Sequence, residues 1–130
     1  MRNLILLVLG IVLGAAGGAI TVNTLSRRDA YPRGVMNVMQ HHYAALRHDV
    51  QLNRCDVKTT AASLGVLREF ADGIEQTFYG DDTADAPFRE YAQRMRDLVA
   101  SASTASDCAG LAPAVDKIGA ACEACHREYR

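Results

Sequence analysis

LAPAVDKIGAACEACHREY, residues 111–129, is the stretch of sequence that decides the expected fold. Its apolar side chains recur at steps of three and four residues, the spacing that places side chains on one face of an α-helix. Pro113 lies near the expected first turn, where the fixed φ of proline suits a helix. The sequence therefore predicts an amphipathic C-terminal helix whose apolar face consists of Leu111, Val115, Ile118, Cys122, Cys125 and Tyr129.

The same spacing predicts three further helices upstream. They run from about Pro32 to Asn53, from the N-cap Asp56 to Phe78, and from the opening residues Asp85-Ala86-Pro87 to Ala102. The alternation of apolar and polar residues that is typical of strands is absent from the sequence. Because short connections make sequential helices antiparallel, we predict an all-α, up-down-up-down four-helix bundle over residues 26–130.

Composition narrows the classes of function. The chain has 130 residues and a formal net charge of −1, so we expect one small domain without the basic face of a nucleic-acid-binding protein. After Leu25 the chain is rich in alanine and poor in large apolar residues. Small domains of this kind often need a cross-link or a cofactor. No nucleophile–base pair or paired acidic site stands out, so we do not predict an enzyme.

An uncharged apolar segment, Leu4–Val22, precedes the predicted bundle. As a helix this segment of 19 residues would span about 28 Å, close to one hydrocarbon thickness. Small residues in 14–19 also suit the cleavage region of a signal peptide. We favour an N-terminal hydrophobic helix that anchors the chain through residues 1–25, with a cleaved signal peptide as the alternative. Either one directs the rest of the chain across a membrane.

The motif Cys122-Glu123-Ala124-Cys125-His126 has the Cys-x-x-Cys-His spacing by which c-type haem is attached. Two thiols three residues apart lie on one helical turn, within reach of both vinyl groups of one haem. The histidine that follows then lies beneath the iron as an axial ligand. We therefore predict one haem c per chain, with Cys122 and Cys125 as thioether anchors and His126 as the proximal iron ligand.

Three other interpretations of the motif compete with haem. A thioredoxin-like redox pair would need a βαβ context, which the helical pattern does not provide. A zinc site would combine Cys122, Cys125 and His126 with Cys55 or Cys108, in a small helical adaptor without haem. Two structural disulfides are the third interpretation, although a Cys-x-x-Cys pair within a helix is strained.

Cys55 and Cys108 are left over by the haem interpretation. Cys55 lies between the first and second predicted helices, and Cys108 lies between the third and fourth. In an up-down-up-down bundle these two connections lie at the same end. In an oxidising compartment such a pair favours a disulfide, with two free thiols as the alternative.

These features resemble the class II cytochromes c, the cytochrome c′ family. The residues His-Arg-Glu-Tyr-Arg at 126–130 are similar to the aromatic–arginine ending of that family, and Ile-Gly-Ala-Ala-Cys at 118–122 is similar to the residues before its motif. Residues 33–39 are similar to its first helix. The resemblance covers 31–130 and implies a four-helix bundle with covalently bound haem. The extra pair Cys55 and Cys108 and the membrane anchor are not general features of the family.

The resemblance implies one of two iron environments. Members with a methionine on the first helix are six-coordinate, low-spin electron carriers, whereas members with a bulky apolar side chain over the iron are five-coordinate. Met36 matches the distal position, seven residues before Tyr43, and is predicted as the sixth ligand. Met39, one turn on, is its rival, and His42 at the edge of the apolar stripe is a further alternative.

Two arginines complete the predicted site. Arg33 is expected to pair with a haem propionate, because guanidinium matches carboxylate geometry. It lies three residues before Met36, whereas the family's basic residue lies four before the distal position. Arg130 is expected near the proximal imidazole, as the resemblance implies.

The sequence therefore predicts a periplasmic c-type cytochrome that transfers one electron at a time through a haem with His/Met ligation. The alternative is five-coordinate binding of nitric oxide or carbon monoxide. Expected partners are redox proteins of the periplasm or inner membrane, and the resemblance also allows a homodimer. We expect the domain to be anchored on the periplasmic side of the bacterial inner membrane, or soluble in the periplasm if residues 1–25 are cleaved.

Overall fold

The computed structural model describes residues 7–8, 10–15, 17–18 and 30–129. The chain divides into two compact units, residues 1–34 and 35–130. In the first unit the described residues between 7 and 18 are helical and exposed. Among the described residues, no helix has the length and apolar character needed to cross a membrane. The predicted anchor or signal peptide at 1–25 falls largely outside the described residues.

Residues 30–129 form five helices with short connections and contain no strand, so the all-α prediction is confirmed. Residue 130, and with it the predicted role of Arg130, lies outside the described residues. The helices in order are α1 (Ala30–Gln51), α2 (Val57–Asp72), α3 (Ile74–Tyr79), α4 (Ala86–Ala102) and α5 (Cys108–Glu128).

The second predicted helix is interrupted, which corrects the expectation of one continuous helix from Asp56 to Phe78. Gly73 separates α2 from α3 and adopts φ −93° and ψ 5°, outside the helical range. Its N–H donates to the Glu69 carbonyl and closes α2. Glycine is among the poorest helix formers, so the chain changes direction there at low cost.

Aspartates begin three of the helices. Asp56, Asp85 and Asp107 are the N-caps of α2, α4 and α5, and each carboxylate accepts a backbone N–H three residues on, at 2.8–2.9 Å. The cap at Asp107 makes α5 begin at Cys108, earlier than the position of Pro113 indicated. Pro113 therefore lies in the second turn of α5.

One core cluster contains the apolar faces of α1, α2, α4 and α5. Two of its three buried alanines, Ala71 and Ala102, have no exposed surface, so neighbouring groups pack closely around them. Helix α4 contacts α2, α3 and α5. A second cluster surrounds Phe88 and includes Ile74, Ala84 and Ala92. The remaining buried members of the first cluster are Val35, Met39, Leu46, Leu64, Leu67, Met95, Val99, Leu111, Val115, Ile118 and Ala121.

The Tyr43 side chain of α1 packs directly on α5 at Gly119. A Cβ at this position would overlap the Tyr43 hydroxyl and lie 2.9 Å from Cζ of the same ring. The absence of a side chain at Gly119 therefore makes room for the phenol of Tyr43. Because Gly119 lies one turn before Cys122, this contact fixes the distance between α1 and α5 beside the motif.

A disulfide joins Cys55 to Cys108, with the two Cα atoms 5.3 Å apart. Cys55 lies in the connection between α1 and α2, and Cys108 is the first residue of α5. The bond closes a loop with a sequence separation of 53 residues that contains α2, α3 and α4. It therefore constrains most of the second unit in the unfolded chain.

Gly119→Ala is expected to destabilise the protein by about 1–3 kcal/mol, because the new methyl group forces the Tyr43 ring to move. The free energy of unfolding, measured by urea denaturation, checks this. Gly65→Ala on the exposed face of α2 is the matched control, since a Cβ there meets nothing within 4 Å. The control should gain roughly 0.5–1 kcal/mol from helix propensity.

Adding Tyr43→Phe to Gly119→Ala should recover part of the lost stability, because the substitution removes the atom that overlaps most. If Gly119→Ala lowers the free energy of unfolding equally with and without Tyr43→Phe, the result would contradict the proposed contact.

Removing the disulfide by Cys55→Ser with Cys108→Ser should cost about 4 kcal/mol in the chain-entropy model. Urea denaturation with and without reductant measures the loss. Reductant should lower the midpoint of the wild type and leave the double variant unchanged. A wild-type midpoint that does not respond to complete reduction would argue against this stabilising role.

Candidate functional site

An apolar cleft lies within the second unit, between the helices that carry its core. Helix α1 lines one side and α5 the other, while α2, α3 and α4 each contribute one side chain. The α1 residues follow helical spacing along one face, as do the α5 residues. The lining residues are Met36, Met39, Gln40 and Tyr43 from α1, Leu67, Ile74 and Met95 from α2 to α4, and Ile118, Cys122, Cys125 and His126 from α5.

The two cysteines of the motif are free thiols and lie half-buried on the cleft side of α5. Burial raises the pKa of Cys122 to about 11, and the neighbouring Cys125 thiol adds to this shift. Burial also raises the pKa of Cys125. Both groups are therefore protonated thiols at neutral pH. Reactive dithiols have lowered pKa values instead, so the redox-pair interpretation gains no support.

His126 follows the second thiol and lies exposed in the last turn of α5. It lines the same cleft as Cys122 and Cys125, although its side chain reaches solvent. An imidazole at this rim can bind a metal ion held within the cleft, since neutral imidazole is a common metal ligand.

Both candidate methionines line the cleft from α1. Met39 is 7% exposed and belongs to the main core cluster. Met36 is half-buried and packs against both core clusters. His42 faces elsewhere, because its Nδ1 lies 3.4 Å from the Ser63 hydroxyl on α2.

The donors around the cleft suit a haem. Two thiols on one turn provide covalent attachment, an imidazole and two thioether sulfurs are known ligands of haem iron, and the apolar walls suit a porphyrin. The zinc interpretation loses its fourth ligand, because Cys55 and Cys108 are bonded to each other. Residues 30–129 also contain no group of three or more His, Cys, Asp or Glu side chains arranged to hold a metal ion.

The roles predicted for Arg33 and Arg130 stay predictions. Arg33 is exposed near the start of α1 and belongs to the first unit, and Arg130 lies outside the described residues. Sequence reasoning missed Gln40 and Met95 among the lining residues. Helical spacing from Met36 indicates Gln40, whereas nothing in the sequence distinguishes Met95 from other core positions.

A hydrogen-bonded group beside the C-terminal end of α5 was also missed. Asp85 accepts hydrogen bonds from the hydroxyls of Tyr129, at 2.6 Å, and Tyr79, at 3.0 Å. The bond from Tyr129 is the main cause that lowers the pKa of Asp85, and the same bond raises the pKa of Tyr129. Only the role of Asp85 at the start of a helix was visible in the sequence.

Comparison with known protein families gives a match to the C-terminal part of the chain. The family model described as Cytochrome C' matches residues 76–130, a segment that includes α4, α5 and the haem-attachment motif. Searches of curated proteins and of solved structures found no match. The matched segment contains all four α5 residues that line the cleft: Ile118, Cys122, Cys125 and His126.

Members of the cytochrome c′ family bind a covalently attached haem c with its iron. The donors in the cleft agree with such a haem. Residues 76–130 of this chain are thus similar to the cytochrome c′ family of class II c-type cytochromes.

Proposed function

We propose that this protein is a one-electron carrier with a haem c attached through Cys122 and Cys125. His126 would be the proximal iron ligand and Met36 the distal ligand. The observation that carries the proposal is that these four side chains line one apolar cleft. When bound, the haem supplies an iron that changes between the ferrous and ferric states.

The raised thiol pKa values agree with the attachment chemistry. A thioether forms when a thiol S–H adds across a vinyl C=C bond, with sulfur bonded to one carbon and hydrogen to the other. The reaction needs no oxidant and releases no other product. Protonated, half-buried Cys122 and Cys125 are also protected from reacting with other disulfides before attachment, since the thiolate is the nucleophile in exchange.

The surroundings of the cleft support electron transfer. Leu67, Ile74 and Ile118 keep water away from the proposed iron site. Met36 would provide a thioether ligand, which favours ferrous iron and raises the reduction potential. Ligands held by packed helices move little between redox states, and this suits rapid one-electron exchange. Arg33 and Arg130 are proposed to interact with a haem propionate and to lie near the proximal imidazole, respectively.

The fold and location follow as parts of the same proposal. The disulfide between Cys55 and Cys108 supports an up-down-up-down bundle over residues 26–130, because it joins connections that such a bundle places at one end. The α2–α3 pair would form its second helix. Covalent haem attachment and a disulfide both support a periplasmic location, reached through residues 1–25 as an anchor or signal peptide. Redox proteins there would be its partners.

Met36→Leu is expected to convert a low-spin ferric haem to a high-spin one and to lower the reduction potential. The exchange preserves volume, so stability should change by less than about 1.5 kcal/mol. Optical and electron paramagnetic resonance spectra of the oxidised protein check the spin state. Met39→Leu is the matched control on the same face of α1, and its spectrum should remain low-spin.

Conversion by Met39→Leu instead would assign the iron ligand to Met39. A high-spin ferric wild type that binds carbon monoxide or nitric oxide would favour the gas-binding function and overturn the proposed Met36 ligation.

Covalent attachment should require both thiols of the motif. In cells that attach c-type haem, the wild type should retain one haem after denaturation, as seen by mass spectrometry. Cys122→Ser should retain haem through a single thioether, with a shifted pyridine haemochrome spectrum. Cys122→Ser with Cys125→Ser should lose the haem on denaturation.

The control for this experiment is Cys55→Ser with Cys108→Ser, which should keep both thioether bonds. Covalent haem in the variant that lacks Cys122 and Cys125 would contradict the assignment of the anchors.

A further inference from the structure

Helix α5 ends at Glu128, only two residues after the proposed ligand His126. Helix ends fray, because their last carbonyls have no partner within the helix. Tyr129 is the C-cap, and its backbone N–H donates to the Cys125 carbonyl at 3.0 Å. This bond closes the turn that contains both Cys125 and His126, so whatever holds Tyr129 also holds that turn.

The side chain of Tyr129 leaves α5 and contacts the start of α4. Its hydroxyl donates to Asp85 Oδ1 at 2.6 Å. Its ring packs edge-to-face against Phe88, with the ring centroids 5.1 Å apart, and a second edge contact joins it to Tyr91 at 6.1 Å. Phe88 is 4% exposed, so the ring of Tyr129 rests on the core rather than on a mobile surface group.

Asp85 is held on both of its carboxylate oxygens. Oδ1 also accepts the backbone N–H of Phe88 at 2.8 Å as the N-cap of α4, and Oδ2 accepts the Tyr79 hydroxyl at 3.0 Å. Tyr79 is the last residue of α3, and its ring lies 4.9 Å from that of Phe88. One carboxylate therefore joins the end of α3, the start of α4 and the end of α5.

We infer that Asp85 is a positioning residue for His126. By accepting the Tyr129 hydroxyl, it keeps the last turn of α5 helical and so fixes the direction in which the imidazole points. The inference rests on the proposed function, because that function makes His126 an iron ligand. The bond to Tyr79 contributes to local packing but does not involve α5.

The variant Asp85→Ser tests the positioning role of Asp85 separately from its role as the N-cap of α4. A serine still caps the Phe88 N–H, but the carboxylate that reaches Tyr129 is lost. In the haem-loaded protein, the amides of Glu128 and Tyr129 should exchange with solvent about fivefold faster, the factor expected for the loss of one hydrogen bond. The electron paramagnetic resonance lines of the ferric haem and its NMR lines should both broaden, because the imidazole samples more orientations. The global unfolding midpoint should stay close to that of the wild type.

Three further variants test the same link. Tyr129→Phe should reproduce the changes of Asp85→Ser. Asp85→Asn should restore wild-type behaviour, because its Oδ1 can still accept from both Tyr129 and Phe88. Tyr79→Phe is the matched control: it removes a hydroxyl from the same carboxylate, and should leave exchange at α5 and the haem spectra unchanged.

Wild-type exchange rates and spectra in Asp85→Ser would overturn the inference. So would equal effects of Tyr79→Phe and Tyr129→Phe, since these would indicate general loosening. If the wild type carries no histidine-ligated haem, the proposed function fails and the role toward a ligand fails with it. The amide exchange rates would then show separately whether Asp85 holds the last turn of α5.

Discussion

The two thiols and the imidazole of the motif lie on adjacent turns of one helix, and the stability of that helix depends on the rest of the second unit. Helix α5 carries Cys122, Cys125 and His126 at its C-terminal end, where helices are least stable on their own. Its other end is tied down by the disulfide and by the Asp107 cap. Between these ends, Leu111, Val115 and Ile118 are about 1% exposed and anchor the helix in the core.

The contact between Tyr43 and Gly119 limits how far apart α1 and α5 lie beside the site. The Tyr43 phenol occupies the space that a side chain at Gly119 would take. Tyr43 and the candidate ligand Met36 belong to the same face of α1. The spacing of α1 from α5 therefore determines how far both side chains lie from the motif. The cleft is therefore shaped by the packing of the Tyr43 side chain on Gly119 as well as by the residues that line it.

Much of the fold follows from the sequence because helical periodicity reports which face of a helix is buried. Leu111, Val115 and Ile118 lie on the apolar face predicted for the C-terminal helix, and each is 1% exposed. Periodicity does not report where a helix bends, and Gly73 interrupts a stripe whose pattern continues on either side of it. Local propensity and tertiary packing decide such a break together, so the sequence pattern alone does not reveal it.

The sequence predicts the motif of the candidate site but not the hydrogen bonds beside it. The thiols and the imidazole are adjacent in the sequence, so a motif of five residues is enough to indicate their chemistry. The hydrogen bond from Tyr129 to Asp85 joins residues 44 positions apart, and no spacing rule relates them. The sequence shows that Asp85 can cap a helix, but the second acceptor role depends on how α4 and α5 are placed in space.

Helix α5 also keeps the disulfide-bonded cysteine away from the free thiols. It carries three of the four cysteines, and its rise separates Cys108 from Cys122 by about 21 Å. At that distance the folded chain cannot exchange partners between its disulfide and the two free thiols. An unfolded chain has no such barrier, since any pair of its four thiols can meet and oxidise. The rigidity of α5 thus separates the cysteine that forms the cross-link from the two thiols that stay free, the pair proposed to attach the haem.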